Sequence, residues 1–140
     1  MTPQSAPFLI AIDDEADIAR FVADLAQQAG FDAVAVPSVR KYLEIEEART
    51  PDIIVTDVCM PDTDGVELIF DLSKKGSRAG VILMSGYEGR FLELAQGLVE
   101  TYGLHSAGNI LKPFRASELM ALLEGARRWV DERDRTEGRG

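Results

Sequence analysis

Five polar residues that could do chemistry each stand just after a short apolar run of the sequence. They are Asp13 and Asp14 after FLIAI, Asp57 after IIVT, Ser85 after VILM and Lys112 after NIL. Carboxylate, hydroxyl and ammonium groups together can bind a divalent cation and a phosphoryl group. If the apolar runs are parallel strands of one sheet, these side chains meet at a single edge of that sheet.

Three carboxylates at one edge of a sheet repel one another, and at least one keeps its proton unless positive charge lies nearby. Mg²⁺ can supply that charge, because it prefers oxygen ligands and is commonly held by one or two protein carboxylates. The Lys112 ammonium is a second source of positive charge. With both cations present, Asp57 can act as an ionised nucleophile toward a phosphoryl group. The Ser85 hydroxyl can then donate a hydrogen bond to the phosphoryl oxygens.

The rest of the chain supplies the elements that position these residues. Short apolar runs alternate five times with segments of helical period. The predicted strands cover 8–12, 33–36, 53–56, 81–84 and 109–111. Because each apolar strand is followed by a helix, the pattern predicts a parallel sheet covered on both faces. We expect a doubly wound α/β fold with the flavodoxin-like strand order 2-1-3-4-5, whose crevice lies at the carboxyl ends of strands one and three.

The last two helices and the chain end carry more detailed predictions. The fourth helix is expected to bury a stripe made of Phe91, Leu94, Ala95, Leu98 and Tyr102. The fifth is expected to run for about 16 residues and to bury a stripe of Leu119, Leu122, Leu123, Ala126 and Val130. His105 is expected in a loop. We assign 6–130 to one domain and expect the charged tail 131–140, DERDRTEGRG, to be disordered.

Composition narrows the class of protein. With 140 residues, 46% of them hydrophobic, the chain can form one domain with a sizeable core. A net charge of -9 argues against binding to nucleic acid or to an anionic membrane and favours cations or basic partners. The single cysteine excludes an internal disulfide framework, and neither a signal peptide nor a run of about 20 apolar residues is visible. We therefore expect a cytoplasmic protein.

Four motifs of the chain resemble the receiver domain of bacterial two-component response regulators. The motifs are FLIAIDDEADI, PDIIVTDVCMPDTDG, VILMSG and NILKPF, which stand in the family's order within 6–128. The resemblance implies that a histidine kinase or a histidine phosphotransfer protein phosphorylates Asp57. It also implies a Mg²⁺ site. Asp14 and Asp57 would be direct ligands, Asp13 would act through water, and the backbone carbonyl of Cys59 would be the last ligand that the protein supplies.

The resemblance assigns the remaining site residues as well. Ser85 matches the switch hydroxyl that turns toward the phosphoryl group, and Lys112 matches the lysine that pairs with it. The Lys112–Pro113 peptide bond is expected to be cis. Three features depart from the family pattern: Asn109 stands where the family places an aromatic residue, the segment from Ser85 to Lys112 is long, and Cys59 and Tyr87 occupy the two positions that tune phosphoryl loss. We hypothesise that a bulky Tyr87 slows that loss.

The sequence therefore favours a stand-alone receiver domain, a phosphoacceptor that loses its phosphoryl group slowly and is not a turnover enzyme. Phosphorylation is expected to change the face built by the fourth helix, fifth strand and fifth helix, which binds an unknown output protein. Two alternatives stay open. One is a pseudo-receiver that binds proteins without being phosphorylated. The other is a haloacid-dehalogenase-like phosphohydrolase, although the second aspartate of that class is replaced here by Cys59.

Overall fold

Five parallel strands form the central sheet in a computed structural model that describes residues 6–58, 65–86 and 89–137. The strands are β1 (Phe8–Ile12), β2 (Asp32–Val36), β3 (Ile53–Asp57), β4 (Gly80–Ser85) and β5 (His105–Leu111). Their order across the sheet is β2-β1-β3-β4-β5, and each neighbouring pair runs parallel. The prediction of a doubly wound fold with the flavodoxin-like order is therefore confirmed.

Five helices alternate with the strands and cover both faces of the sheet. They are α1 (Ala16–Gln28), α2 (Val39–Ala48), α3 (Gly65–Lys74), α4 (Gly89–Thr101) and α5 (Ala116–Thr136). Because successive side chains of a strand point to opposite faces, each buried strand contributes to two apolar clusters. Leu9 and Val55 pack with α1 and α5, whereas Ile10 and Ile54 pack with the helices of the opposite face. The core therefore has two halves, with the sheet between them.

Local signals in the sequence begin and end the helices. The Ser38 hydroxyl accepts a hydrogen bond from the backbone N–H of Lys41 (3.2 Å) and so caps the start of α2. Gly30 follows α1 with φ of 96°, and Gly103 follows α4 with φ of 77°. This left-handed conformation costs little only for glycine, which is why these helices end where they do.

Strand β5 is longer than the sequence predicts, because it begins at His105 rather than at residue 109. Its first half has no continuous apolar pattern, and the pairing with β4 contains a bulge in which Val81 and Ile82 face Ser106 and Gly108. Gly108 has φ of 136°, and a Cβ there would lie 2.7 Å from the Leu122 side chain. His105 therefore belongs to a strand and not to a loop.

The buried face of α4 also differs from the predicted one. Leu94 is 67% exposed and Tyr102 is 40% exposed, although both were expected in the core. The Phe91 side chain lies outside the described residues. Helix α4 instead turns a face offset by about one residue, or about 100°, toward β4 and β5. The residues buried on that face are Leu92, Ala95 and Val99.

Helix α5 continues to Thr136, so the expectation of a disordered tail is wrong for residues 131–136. Arg133 explains this difference. Its guanidinium lies 2.6 Å from the Asp52 carboxylate and donates a hydrogen bond to the backbone carbonyl of Arg78 (3.0 Å). It also lies 5.2 Å from the centre of the Trp129 ring, which itself stacks on His105 at 4.0 Å. These contacts hold the last turns of α5 against the amino-terminal ends of the strands.

The predicted apolar stripe of α5 is largely confirmed. Leu119, Leu123, Ala126 and Val130 are buried, and Leu122 packs on the same cluster while partly exposed. Residues 138–140 lie outside the described part of the chain. Among the described helices, none is both long enough and apolar enough to cross a membrane.

Candidate functional site

The carboxyl ends of four strands deliver the residues of the candidate site. Asp13 and Asp14 directly follow β1, Asp57 is the last residue of β3, Ser85 is the last residue of β4, and Lys112 directly follows β5. Parallel strands point the same way, so all four ends lie at one edge of the sheet. β1 pairs with β3, β3 with β4 and β4 with β5, which brings the four ends side by side.

The three aspartates meet at this edge, as the sequence predicts. One carboxylate oxygen from each of Asp13, Asp14 and Asp57 lies within 4.8 Å of the others. Asp13 is fully buried and Asp57 is 5% exposed, whereas Asp14 is exposed. Two members of the acidic cluster, Asp13 and Asp57, are therefore buried, and the third, Asp14, is in contact with solvent.

Within the described part of the chain, Lys112 supplies a positive charge in direct contact with this cluster. Its Nζ atom lies 2.6 Å from Asp13 Oδ2, 3.1 Å from Asp57 Oδ2 and 3.5 Å from Glu15 Oε1. Burial disfavours the charged ammonium, but the hydrogen bonds and charges of Asp13 and Asp57 outweigh that effect and raise the pKa of Lys112. The lysine is therefore protonated at neutral pH, and its charge is shared among three carboxylates.

Asp13 is held in place by its backbone and by one side-chain oxygen. Its N–H donates to the carbonyl of Val36 (3.2 Å), and its Oδ1 accepts a hydrogen bond from the N–H of Glu15 (2.9 Å). Burial raises the pKa of the Asp13 carboxyl, and the contact with Lys112 offsets this only in part. Asp13 Oδ2 is buried, and among the described residues it contacts the Lys112 ammonium at 2.6 Å, which leaves one of its lone pairs available.

This donor set fits a hard divalent cation. Mg²⁺ binds carboxylate oxygens, and it usually keeps several waters because its protein ligands are few. Three converging carboxylates provide such ligands, and the incompletely satisfied Asp13 Oδ2 can accept a hydrogen bond from a water of the cation. One lysine neutralises only part of the charge of three aspartates, so a second cation at this edge would be stabilised.

Ser85 and Lys112 are joined through the backbone. Ser85 is fully buried, and its carbonyl accepts a hydrogen bond from the N–H of Lys112 (2.8 Å). A similar bond, from Val58 N–H to the carbonyl of Met84 (2.9 Å), extends the pairing of β3 and β4 just past Asp57. The Lys112–Pro113 bond is cis, as the resemblance implies. The sheet pairing therefore fixes the spacing of the site residues.

Two sequence predictions fall outside the described residues. Cys59, whose backbone carbonyl was expected to bind Mg²⁺, lies between 58 and 65, and Tyr87 lies between 86 and 89. Their roles stay predictions. The roles of Asp57, Ser85 and Lys112 in phosphoryl chemistry are likewise predictions, now attached to residues that share one edge of the sheet.

Two interactions near the site are not visible in the sequence. The hydroxyl of the fully buried Thr56 donates to the backbone carbonyl of Asp57 (3.1 Å). The Asn109 side chain on β5 donates to the Gln96 side-chain carbonyl on α4, and Gln96 in turn donates to Glu100 (3.3 Å). Asn109 and Gln96 are separated by 13 residues and lie on different elements, so no local pattern predicts their contact.

Comparisons with known proteins agree with this geometry. The family model described as the response regulator receiver domain matches residues 9–124. The chain is 27% identical over 125 residues to the chemotaxis protein CheY of Listeria monocytogenes, a match that covers 84% of this chain and 96% of that protein. It is 30% identical over 124 residues to the transcriptional regulatory protein FixJ of Azorhizobium caulinodans, covering 89% of this chain and 56% of FixJ.

Solved structures give the same result for the fold. A response regulator from Colwellia psychrerythraea superposes with a TM-score of 0.77 at 27% sequence identity. The superposition covers 89% of this chain and 99% of that one. The similarity therefore extends over nearly the whole of the described chain.

Proposed function

Because this chain belongs to the family of response regulator receiver domains, we propose that it accepts a phosphoryl group on Asp57 in a two-component phosphorelay. The donor would be a histidine kinase or a histidine phosphotransfer protein. The observation that carries this proposal is the position of Asp57, which ends β3 within 3.1 Å of Lys112 and in the same cluster as Asp13 and Asp14.

In the proposed reaction a carboxylate oxygen of Asp57 attacks the phosphorus of a phosphohistidine. A P–O bond forms as the P–N bond breaks, and the electron pair of that bond stays on the imidazole nitrogen of the donor. The product is an acyl phosphate on Asp57. The Lys112 ammonium lies 3.1 Å from the Asp57 carboxylate, where it can also contact the oxygens of an incoming phosphoryl group.

A bound Mg²⁺ would neutralise negative charge on the phosphoryl oxygens during transfer. Asp14 and Asp57 are proposed to hold it directly, with Asp13 acting through water and the backbone carbonyl of Cys59 as a further ligand. The fit of the aspartate cluster to a hard cation supports the first three assignments. The assignment of Cys59 rests on the family resemblance alone.

Lys112 and Ser85 are proposed to pair with the phosphoryl group once it is on Asp57. Lys112 Nζ already lies between Asp13 and Asp57, so it can follow new negative charge by a small movement of its side chain. The Ser85 hydroxyl at the end of β4 would donate a hydrogen bond to a phosphoryl oxygen. Both movements begin at the carboxyl ends of β4 and β5, next to α4 and α5.

The output is proposed to be a change in the face formed by α4, β5 and α5. A new charge at Asp57 can bias a two-state surface through the residues that pair with it. Asn109 on this face takes the position of the family's usual aromatic residue, and its hydrogen bond to Gln96 links β5 to α4. We expect this amide contact to take part in the switch in place of an aromatic side chain. An output protein would recognise the altered face.

The proposed phosphoacceptor loses its phosphoryl group slowly and has no turnover activity toward free phosphomonoesters. We also propose that the protein acts in the cytoplasm. Its net charge of -9 argues against nucleic acid or an anionic membrane as a partner.

The direct test is intact-protein mass spectrometry after incubation with acetyl phosphate. The wild type is expected to gain one phosphoryl group with Mg²⁺ and none without it. The Asp57→Asn variant should gain none, whereas a matched control, Asp32→Asn at the far edge strand β2, should behave as the wild type. A folded wild type that gains no phosphoryl group from acetyl phosphate or from any histidine kinase would favour the pseudo-receiver. Steady hydrolysis of a generic phosphomonoester would favour the phosphohydrolase.

A further inference from the structure

Two aromatic side chains lie exposed on the side of the sheet that α2, α3 and α4 cover. Phe70, in the middle of α3, is 49% exposed, and Tyr102, just after α4, is 40% exposed. Their ring centres are 5.6 Å apart, and the Ser73 hydroxyl donates a hydrogen bond to the Tyr102 carbonyl (3.1 Å). This bond fixes the end of α4 beside α3. Exposed aromatic side chains that are held together are typical of protein interfaces.

Opposite charges flank Phe70 along α3. Glu67 lies about one turn before it and Lys74 about one turn after it. Both are exposed, and the Lys74 ammonium lies 5.6 Å from the centre of the Phe70 ring. The three side chains form one stripe, because residues seven apart differ by only about 20° around a helix. Within the described part of the chain, Glu67 and Lys74 have no ion-pair partner, whereas the adjacent Lys75 contacts two carboxylates.

The local charge of α3 differs from that of the whole chain. The chain has a net charge of -9, whereas α3 and the residue after it carry two acids and two bases: Glu67, Asp71, Lys74 and Lys75. A partner of one charge sign would be attracted at one end of the stripe and repelled at the other. A fitting partner offers both signs, about 10 Å apart, on either side of an apolar centre.

We propose that the α3 face, made of Glu67, Phe70, Lys74 and Tyr102, binds the same face of a second copy of the chain. A twofold axis beside Phe70 would set the two α3 helices antiparallel. Glu67 of each copy would then meet Lys74 of the other, because the two charges lie three and four residues from Phe70. The aromatic rings of the two copies would form the apolar centre of the interface.

The net charge of the chain sets the strength of this dimer. Two copies of net charge -9 repel each other over a long range. At physiological salt the Debye length is about 8 Å, so distant charges are screened more than the Glu67 and Lys74 charges in contact. We therefore expect a weak dimer that forms at high protein concentration. The aspartate edge takes no part in it, so this inference does not depend on the proposed function.

Sedimentation velocity of the unphosphorylated full chain, from micromolar to near-millimolar concentration, measures the dimer. Phe70→Ser should weaken dimerisation about 30-fold, because each copy loses an aromatic side chain from the centre of the interface. Phe21→Ser is the matched control. Phe21 lies on α1, on the opposite side of the sheet, and is 41% exposed, so its loss should leave dimerisation unchanged.

Charge reversal tests the antiparallel register. Glu67→Lys should weaken the dimer about tenfold, because the twofold axis turns two attractions into two repulsions. Lys74→Glu should have the same effect. The double variant restores both pairs with their signs exchanged, and should bind within about threefold of the wild type. Glu44→Lys adds the same charge on α2 at another exposed position and should change nothing.

A carbodiimide cross-linker, which joins a carboxylate directly to an amine, identifies the contact. The sample is a mixture of unlabelled and heavy-nitrogen protein, so that mass spectrometry distinguishes links between copies from links within one copy. A mixed-isotope link between the Glu67 and Lys74 peptides is expected. Within one copy the two residues lie about 10 Å apart along α3, which is too far for a direct amide bond.

Three outcomes would overturn this inference. The first is a chain that stays monomeric at every concentration, and the second is a dimer that Phe70→Ser leaves intact. The third is a dimer that both single charge reversals weaken but the double variant does not restore, since Glu67 would then not pair with Lys74. The urea unfolding midpoint of each variant checks that it is folded. Phosphorylation of Asp57 is measured separately by mass, so failure of the dimer leaves the proposed function intact.

Discussion

Replacing Lys112 with methionine is expected to destabilise the protein by about 3 kcal/mol in the absence of Mg²⁺. Methionine keeps an unbranched stem and removes the charge. The Lys112 Nζ atom contacts Asp13 at 2.6 Å and Asp57 at 3.1 Å, and its side chain is only 11% exposed. Removing one partner of a buried ion pair costs about 3 to 5 kcal/mol, because the other charge is left uncompensated. We take the lower end because Asp14 opens the cluster to solvent.

The carboxylates that remain also repel one another. Their nearest oxygens lie within 4.8 Å of one another, and two unit charges at that limit repel by roughly 3 kcal/mol at an effective dielectric constant of about 20. Mg²⁺ should relieve this repulsion, so saturating Mg²⁺ should stabilise Lys112→Met more than it stabilises the wild type. Adding Asp13→Asn should be more favourable in the Lys112→Met background than in the wild type, by about 2 kcal/mol. In that background the change removes a repulsion and no attraction.

The assay is urea unfolding followed by circular dichroism, with EDTA and again with Mg²⁺. Lys75→Met is the matched control, because Lys75 also contacts two carboxylates, Glu46 at 2.6 Å and Asp71 at 2.9 Å. Its side chain is 46% exposed, so the expected cost is only about 0.5 kcal/mol. Equal losses of stability in the two lysine variants would refute the reasoning. They would show that the cost depends on the lysine–carboxylate distances, which are similar, and not on the burial of the lysine side chain, which differs.

Three further predictions concern residues away from the aspartate cluster. Burial lowers the pKa of His105, so the fold favours its neutral form; its contribution to stability is full above about pH 6.5 and falls as the pH drops toward the lowered pKa. Thermal unfolding should therefore show a larger acid loss in the wild type than in His105→Phe, and equal losses would contradict this. Asn109→Ala should cost about 1 kcal/mol, and a double-mutant cycle with Gln96→Ala should show coupling; strict additivity would argue against the amide contact. Arg133→Met should cost about 2 kcal/mol and speed hydrogen exchange in the last turns of α5, whereas unchanged exchange would show that Asp52 and Trp129 do not hold the helix end.

The sheet and the site edge could be predicted from the sequence because their signals are local. Each buried strand is a continuous apolar run, and a polar residue of the site stands directly at its end. The strand order could be predicted because five strands in a chain this short favour the flavodoxin-like order over the other common order of doubly wound sheets. The meeting of Asp13, Asp14 and Asp57 is a consequence of that order.

The features that the sequence analysis missed depend on contacts between distant residues. The first half of β5 lacks the apolar pattern of a buried strand, because it contains a bulge at Ala107 and a glycine with positive φ at Gly108. The sequence pattern therefore does not identify it as a strand. The buried face of α4 is set by how the helix packs on β4 and β5, and a period of 3.6 residues alone does not fix its rotation. The last turns of α5 are highly charged, a pattern typical of disorder. They are ordered because Arg133 contacts Asp52, just before β3, and the carbonyl of Arg78, shortly before β4, and both residues are far from Arg133 in sequence.

The hydrogen bond between Lys112 N–H and the carbonyl of Ser85 has a consequence for how such a domain tolerates changes in chain length. The two residues are held together across the sheet, by the register of β4 and β5, and the 26 residues between them do not set their distance. Residues added to or removed from α4 and its connections would therefore reshape the outer face of the domain without separating Ser85 from Lys112. The length of α4 and of its connections can therefore change while Ser85 and Lys112 stay side by side at the edge of the sheet.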